Sequence, residues 1–199
     1  MSIGNVSSGT SFREKSDRIE EIWRPEIARL RIPSLGRSEA ELLATLAAAS
    51  GAGRALELGT AIGYSAAYLA AGMGPAGRVT AVDLNLERAA VARTLWERAG
   101  LAGQIDLHQG DALEVAPTLG SDFDLVFVDL LWEIREHDLG RRLARQVFAA
   151  LKPGGLLVAD NCGQPIPAGD GLKAEIEAGE FRTTSLLPLG DGVLVAVKR

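Results

Sequence analysis

The sequence predicts an α/β fold in which a doubly wound, mostly parallel sheet carries helices on both faces. Short apolar segments typical of strands alternate with segments of helical periodicity, as in successive β–α–β units. Acidic or amide residues stand at the ends of five of the predicted strands. Ligands of wound sheets bind beyond the carboxyl ends of the strands, so this pattern predicts a binding site at one edge.

A single domain is the expectation for residues 1–199, since a chain of this length can bury one core. Two leading helices are predicted within residues 13–50. Apolar residues at helical spacing predict the first helix from Arg13 to Arg31, with a kink or interruption at Pro25, and Ser38 is predicted to cap the second. Residues 1–11 are polar and lack the apolar core of a signal peptide, so we expect them to be disordered.

The segment R-A-L-E-L-G-T-A-I-G-Y-S, residues 54–65, predicts a strand, a tight glycine loop and a helix start. Free N–H groups at such a helix start favour an anionic group of a ligand. The glycine spacing differs from the G-x-G-x-x-G fingerprint of dinucleotide sites, because Ala61 stands inside the loop. The loop therefore favours a ligand with one compact charged group over a pyrophosphate.

The remaining segments continue the alternation. Further parallel strands are predicted at 78–83, 104–109, 123–129 and 155–160, helices at 87–99, 112–119, 142–151 and 173–178, and a closing hairpin at 183–189 and 193–198. The K-P-G-G segment at 152–155 is predicted to end the helix before it. We expect Trp96 to lie in the core rather than to form a stacking surface.

These motifs resemble those of the class I S-adenosylmethionine-dependent methyltransferases. L-E-L-G-T-x-x-G-Y-S is similar to motif I of that class, and its G-Y-S ending resembles the small O-methyltransferases of the catechol and caffeoyl-CoA type. The C-terminal L-P-L-G-D-G-V-L-V-A-V-K-R resembles the closing hairpin of that family, whose last strand runs antiparallel. The resemblance implies a seven-stranded Rossmann-like sheet and transfer of a methyl group from S-adenosyl-L-methionine to a small-molecule hydroxyl, phenol- or catechol-like.

The resemblance also implies a set of cofactor-binding residues. They are Leu35, Glu57, Gly59, Thr60, Gly63, Tyr64, Ser65, Asp83, Leu84, Asp111, Ala112 and Asp129. Asp83 is placed to accept hydrogen bonds from a ribose diol, or else to cap the next helix, a role that Asn85 would also fill. Asp111 is expected to accept from the exocyclic amine of an adenine, to cap the helix after it, or both.

Catechol-type relatives hold a divalent cation with two aspartates and an asparagine, which correspond here to Asp129, Asp160 and Asn161. Three oxygen ligands suit Mg²⁺, Mn²⁺ or Ca²⁺, and such an ion would lower the pKa of an acceptor hydroxyl. The alternative is that Asp129, the implied catalytic residue, contacts the cofactor alone while Asp160 and Asn161 form a hydrogen-bonded turn. The chain departs from its relatives at Trp132, which occupies the position of their catalytic lysine.

The composition of the chain excludes some classes of binding partner. The net charge of −5 argues against a nucleic acid, and no apolar run is long enough for a membrane span. Cys162 is the only cysteine, which excludes an internal disulfide and favours the cytoplasm. The resemblance implies a homodimer. Alternative functions are a cofactor-binding protein without transfer activity, an N- or C-methyltransferase, and a nicotinamide oxidoreductase, which Ala61 disfavours.

Overall fold

The computed structural model describes residues 10–199, whose strands form one seven-stranded sheet with helices on both faces. The strands are β1 (Arg54–Leu58), β2 (Arg78–Asp83), β3 (Ile105–Gln109), β4 (Phe123–Val128), β5 (Leu151–Ala159), β6 (Phe181–Leu187) and β7 (Val193–Lys198). The helices are α1 (Phe12–Leu30), α2 (Arg37–Ala49), α3 (Tyr64–Met73), α4 (Leu86–Ala99), α5 (Ala112–Val115), α6 (His137–Ala150) and α7 (Pro167–Glu175).

The strand order is β3-β2-β1-β4-β5-β7-β6, which confirms the predicted wound sheet. Strands β1 to β5 pair in parallel, whereas β7 runs antiparallel to both of its neighbours, β5 and β6. The chain winds outward from β1 to β3 and then returns to place β4 on the other side of β1. The order of the strands therefore reverses between β1 and β4, the kind of position where wound sheets bind ligands.

Two buried apolar layers hold the helices on the sheet. One layer packs α1 to α4 against one face and includes Trp23, Tyr68 and Trp96, so the prediction that Trp96 lies in the core is confirmed. The other layer packs α6 and α7 against the opposite face around residues such as Phe123 and Leu143. Among residues 10–199, no helix combines the length and apolarity that a bilayer crossing requires.

The leading helices differ from the prediction in two details. α1 runs through Pro25 without interruption; the buried Ile22 and Trp23 beside it hold the helix on the core, which offsets the missing N–H of the proline. α2 begins at Arg37 rather than after Ser38, because the Gly36 N–H donates to the Glu39 carboxylate at 2.6 Å and closes the first turn there. Most of the segment predicted to be disordered, residues 1–11, lies outside the described residues.

Later in the chain, one predicted boundary is confirmed and two helix starts differ from the prediction. α6 ends at Ala150, so the prediction that this helix stops before the K-P-G-G segment is confirmed. The segment itself forms a bulge inside β5, since the register passes from Phe123↔Leu151 to Leu125↔Leu156. α6 begins at His137, before the predicted start at residue 142. α7 begins at Pro167 rather than at residue 173, because a proline is accommodated in the first turn of a helix.

Candidate active site

Four predicted site residues stand at the carboxyl edge of neighbouring central strands. Asp83 ends β2 and Glu57 lies one residue before the end of β1, while Asp129 and Asp160 directly follow β4 and β5. The backbone joins these ends: Asp129 N–H donates to the Leu58 carbonyl at 2.9 Å, and Asp160 N–H donates to the Val128 carbonyl at 2.9 Å. The topology therefore brings the predicted acids together, on both sides of the position between β1 and β4 where the strand order reverses.

The glycine loop after β1 is folded tightly against the ends of β2 and β4. The Gly59 and Thr60 N–H groups both donate to the Val82 carbonyl, at 2.9 and 3.1 Å. Gly59 has a φ of +94°, and a β-carbon on it would lie 2.2 Å from the Asp129 carbonyl oxygen. A glycine is required here, both for the backbone conformation and for the close approach to β4.

Two buried tryptophans hold the far end of the loop. Trp23 Nε1 of α1 donates to the Ile62 carbonyl at 2.8 Å, and Trp96 Nε1 of α4 donates to the Gly63 carbonyl at 2.9 Å. A β-carbon on Gly63 would lie 2.5 Å from the Trp96 ring. Sequence reasoning missed these anchors, because nothing in the spacing of the tryptophans indicates a bond to a loop carbonyl.

The two anchors orient the start of α3. In a trans peptide the C=O and the following N–H point in opposite directions, so the bond from Trp96 directs the Tyr64 N–H away from Trp96. The first N–H groups of α3 have no acceptor within the helix, and they carry the positive end of its dipole. This end of α3 is therefore suited to a carboxylate or another compact anion.

The side chain of Tyr64 is engaged on the α1 side of the loop. Its hydroxyl donates to Glu20 and accepts from Arg24 Nη2 at 2.6 Å, and the Arg24 guanidinium lies 4.6 Å from the ring centre. The same nitrogen of Arg24 donates to the carbonyl of the buried Leu35 at 3.2 Å. The predicted cofactor residues Leu35 and Tyr64 are thus linked through one arginine.

Glu57 is fully buried, and neither of its carboxylate oxygens has a hydrogen-bond partner. Burial raises the pKa of Glu57 to about 7; the charge of Asp83 acts in the same direction, while the nearby Ser65 and Thr60 hydroxyls oppose the shift. The Thr60 hydroxyl is also buried without a partner. A buried carboxyl in this state is costly unless a ligand supplies donors or positive charge.

Of the residues predicted to contact a nucleoside, two aspartates accept hydrogen bonds from the backbone and one leucine is exposed. Asp83 accepts from the Ala61 N–H at 2.7 Å and from the Asn85 N–H at 2.8 Å, whereas Asn85 itself caps α4. Asp111 caps α5 through the Leu113 N–H at 2.8 Å, so its predicted capping role is confirmed. Next to Asp83, the Leu84 side chain is 70% exposed, which leaves an apolar surface free beside the loop.

The predicted metal ligands lie together at the ends of β4 and β5. Asp160 is 6% exposed; its Oδ2 accepts from Asn161 Nδ2 at 3.0 Å, and its Oδ1 is buried without a partner. Burial raises the pKa of Asp160 to about 6. Burial also raises the pKa of the half-buried Asp129 well above its usual value, and the charges of Asp160 and Glu57 add to this effect.

The donor set at this position consists of two carboxylates and one amide. Within residues 10–199 there is no cluster of three or more His, Cys, Asp or Glu side chains placed to hold a metal. The hydrogen bond between Asp160 and Asn161 agrees with the alternative prediction for these two residues, a hydrogen-bonded turn. Asp160 Oδ1 nevertheless has no partner and could bind a cation or accept a hydrogen bond.

A match to a protein-family model then decides the family. The model for O-methyltransferases matches residues 14–199, which is nearly the whole chain. The chain belongs to the O-methyltransferase family. It is 33% identical over 189 residues to the catechol O-methyltransferase of Mycobacterium tuberculosis, covering 87% of this chain and 84% of that protein. The implied family and methyltransferase activity are therefore confirmed.

Solved structures of other methyltransferases share the fold. An O-methyltransferase from Bacillus cereus, in complex with SAH, superposes with a TM-score of 0.80 at 23% identity and covers 92% of this chain and 91% of its own. The O-methyltransferase TomG from Streptomyces achromogenes, in complex with SAM, has a TM-score of 0.75 at 24% identity, covering 93% and 89%. At these identities the likeness confirms the Rossmann-like architecture.

Proposed function

We propose that this member of the family uses S-adenosyl-L-methionine to methylate a hydroxyl of a small phenol- or catechol-like molecule, with the help of a divalent cation. The observation that carries the proposal is the buried carboxyl of Glu57, which has no partner and lies beside a glycine loop and a free helix N-terminus. Methionine carries an ammonium and a carboxylate, so the two features match its two charges.

Residues at the ends of β2 and β3 fit the adenosine part of the methyl donor. Asp83 uses each oxygen for one backbone bond, which leaves acceptor capacity for a ribose diol. The exposed Leu84 offers an apolar surface for an adenine, with Asp111 and Ala112 at the end of the neighbouring strand β3. When bound, the donor supplies an activated methyl on a sulfonium; transfer forms an O–C bond, breaks the S–C bond and releases the phenolic proton.

The acceptor is proposed to lie over the ends of β4 and β5. Asp129, Asp160 and Asn161 would hold a Mg²⁺, Mn²⁺ or Ca²⁺ ion, and the free Asp160 Oδ1 supports this fit. Such an ion supplies a positive charge that lowers the pKa of a bound hydroxyl. The chain's own contribution is to hold the hydroxyl in line with the donor and to exclude water from it.

Isothermal titration with S-adenosyl-L-methionine and with its demethylated product tests donor binding. We expect micromolar affinity, and at least tenfold weaker binding by Glu57→Ala, because the ammonium loses its buried partner. The absence of binding at high micromolar concentration would reject the proposal. Asp106→Ala, an exposed acid on the edge strand β3, is the matched control.

Trp132 favours a second candidate, a donor-binding protein of this family without transfer activity. It stands where catalytic lysines stand in related enzymes, and its side chain is 55% exposed. Incubation with donor, Mg²⁺ and a panel of catechols distinguishes the two. Methylated product supports the enzyme, whereas tight donor binding without any product across the panel supports the second candidate.

A further inference from the structure

A network of polar side chains lies between α1 and the start of α3, apart from the acids at the strand ends. The Glu20 carboxylate is its centre, and one of its oxygens accepts from the hydroxyls of Tyr64 and Tyr68. The other oxygen accepts from Arg24 Nε at 2.8 Å. Beyond Tyr68, the network continues to the buried Ser16 hydroxyl, 2.8 Å away. These side chains join one face of α1 to the first two turns of α3.

Arg24 extends the network to the link between α1 and α2. Its Nη2 donates to the Tyr64 hydroxyl at 2.6 Å and to the Leu35 carbonyl at 3.2 Å, and its Nη1 donates to the Ser34 hydroxyl at 3.3 Å. The Leu35 side chain is buried in the same apolar cluster as Tyr64. One guanidinium therefore holds the α1–α2 link against the start of α3.

The same turn of α1 also contacts the end of the glycine loop. Trp23, beside Arg24, donates to the Ile62 carbonyl at 2.8 Å, so α1 contacts the loop on both sides of Gly63. The proposed function places the carboxylate of the methionine part at the free N–H groups of α3, which begins at Tyr64. Arg24 is thus bonded to the first residue of the helix that would bind this carboxylate.

Glu20 is charged within this network. Burial alone would raise the pKa of Glu20, but the hydrogen bonds from Arg24 and Tyr64 outweigh it and hold the pKa below its usual value. Hydrogen bonds to a charged group are stronger than neutral ones and restrict the partners to one arrangement. A partly buried ion pair adds little stability over an apolar contact, because desolvation offsets the attraction. The main effect expected of the network is therefore the position of Tyr64 and Leu35.

We propose that Arg24 is a positioning residue of the donor site. Through Tyr64 and Leu35 it holds the start of α3 and the α1–α2 link in the arrangement that binds the methionine part of the donor. Glu20 acts by orienting the guanidinium. This inference rests on the proposed binding of S-adenosyl-L-methionine.

The test compares two ligands that differ in the methionine part. S-adenosyl-L-homocysteine carries the amino-acid end, whereas 5′-methylthioadenosine keeps the adenosine and the sulfur and lacks that end. In isothermal titration, Arg24→Met should bind S-adenosyl-L-homocysteine at least about fivefold more weakly than the wild type does. Its affinity for 5′-methylthioadenosine should change by less than about twofold, because this ligand lacks the group that the start of α3 is proposed to bind. A mere loss of folded protein would affect both ligands equally.

Tyr64→Phe removes the hydroxyl that Glu20 and Arg24 share, and it should show the same selective loss. The double variant should bind S-adenosyl-L-homocysteine no more weakly than Arg24→Met alone, because Arg24 acts through Tyr64. Arg141→Met is the matched control on the opposite face of the sheet. Arg141 Nε pairs with Glu175 at 2.9 Å, and its side chain is 42% exposed against 36% for Arg24. This control should leave both affinities unchanged.

Three results would overturn this inference alone: equal losses for the two ligands, affinity for both ligands retained in Arg24→Met and Tyr64→Phe, or a selective loss in the control. If Arg24→Met does not fold, Tyr64→Phe decides between the same outcomes. A wild type that binds neither S-adenosyl-L-homocysteine nor S-adenosyl-L-methionine would overturn the proposed function and this inference together.

Discussion

Gly59 lies against the backbone carbonyl of Asp129, so close that a β-carbon on Gly59 would be 2.2 Å from that oxygen. This contact joins the glycine loop after β1 to the end of β4, across the point where the strand order reverses. The donor loop and the acid of the acceptor side are therefore fixed relative to each other by backbone, which suits a reaction that depends on alignment.

Gly59→Ala tests this contact. The alanine meets an unyielding carbonyl in addition to the left-handed φ of +94°, so we expect a loss of at least about 3 kcal/mol in the free energy of unfolding. Gly120→Ala is the matched control, because its φ is +84° and nothing lies within 4 Å of its β-carbon position. The control should cost about 1 kcal/mol in chemical denaturation. Equal costs would contradict a role for the close approach.

The tryptophan anchors lead to a second prediction. Trp23→Phe removes the indole N–H that donates to the Ile62 carbonyl, and Trp96→Phe removes the indole donor to the Gly63 carbonyl, which keeps only the Ala67 N–H. We expect each variant to lose about 2–3 kcal/mol of stability and to bind the methyl donor about tenfold more weakly at a temperature where it is folded. Trp132→Phe, at an exposed position, should change stability by less than about 0.5 kcal/mol.

Calorimetry and urea denaturation of the three variants separate the two effects. A loop that is merely packed would lose stability in Trp96→Phe while the fully folded fraction bound the donor normally. A loop that Trp96 orients would lose donor affinity even where the folded fraction is complete. Retained affinity in both buried variants would contradict the orienting role.

The strand ends could be predicted from the sequence, whereas the side-chain partners could not. Buried parallel strands read as continuous apolar runs, and an acid after such a run stands out, as Asp129 and Asp160 do. The start of α2 was misplaced because a carboxylate three residues on, Glu39, bonds the Gly36 N–H in place of a serine cap. The tryptophan anchors also escaped prediction, since Trp23 and Trp96 reach the Ile62 and Gly63 carbonyls only through tertiary packing.

Metal dependence provides a third prediction. If Asp160 is a ligand, Asp160→Asn should raise the Mg²⁺ concentration for half-maximal activity at least about tenfold, because a neutral amide oxygen attracts the ion less than a carboxylate. A chelator should abolish activity, and Mg²⁺ or Mn²⁺ should restore it. Asp138→Asn, whose side chain is 96% exposed, is the control. Activity that survives both the chelator and Asp160→Asn would reject the metal and leave the methyl transfer standing.

Donor binding should depend on pH through Glu57. The free protein holds this buried carboxyl with a pKa of about 7, with Asp83 as the neighbouring charge, so the carboxyl is mostly protonated at pH 6. A donor ammonium requires the carboxylate, and binding should therefore release a proton. We expect the donor Kd to fall about tenfold between pH 6 and 8 and then level off, whereas Glu57→Gln should bind weakly without this dependence. Titration calorimetry in buffers of different ionisation enthalpy measures the released proton directly.

The raised pKa of Glu57 also determines the direction in which the free energy of unfolding changes with pH. Because the folded-state pKa of Glu57 lies above its ordinary value of 4.5, the folded protein holds this proton more tightly than the unfolded chain does. The stabilisation is complete below pH 4.5 and is lost as pH rises through about 7, a change of about 3 kcal/mol. Asp129 and Asp160 shift in the same direction, so the measurement is the difference between the wild type and Glu57→Gln. Relative to Glu57→Gln, the wild type should lose stability as the pH rises from 5 to 8, and a difference that stays constant would show that burial does not perturb Glu57.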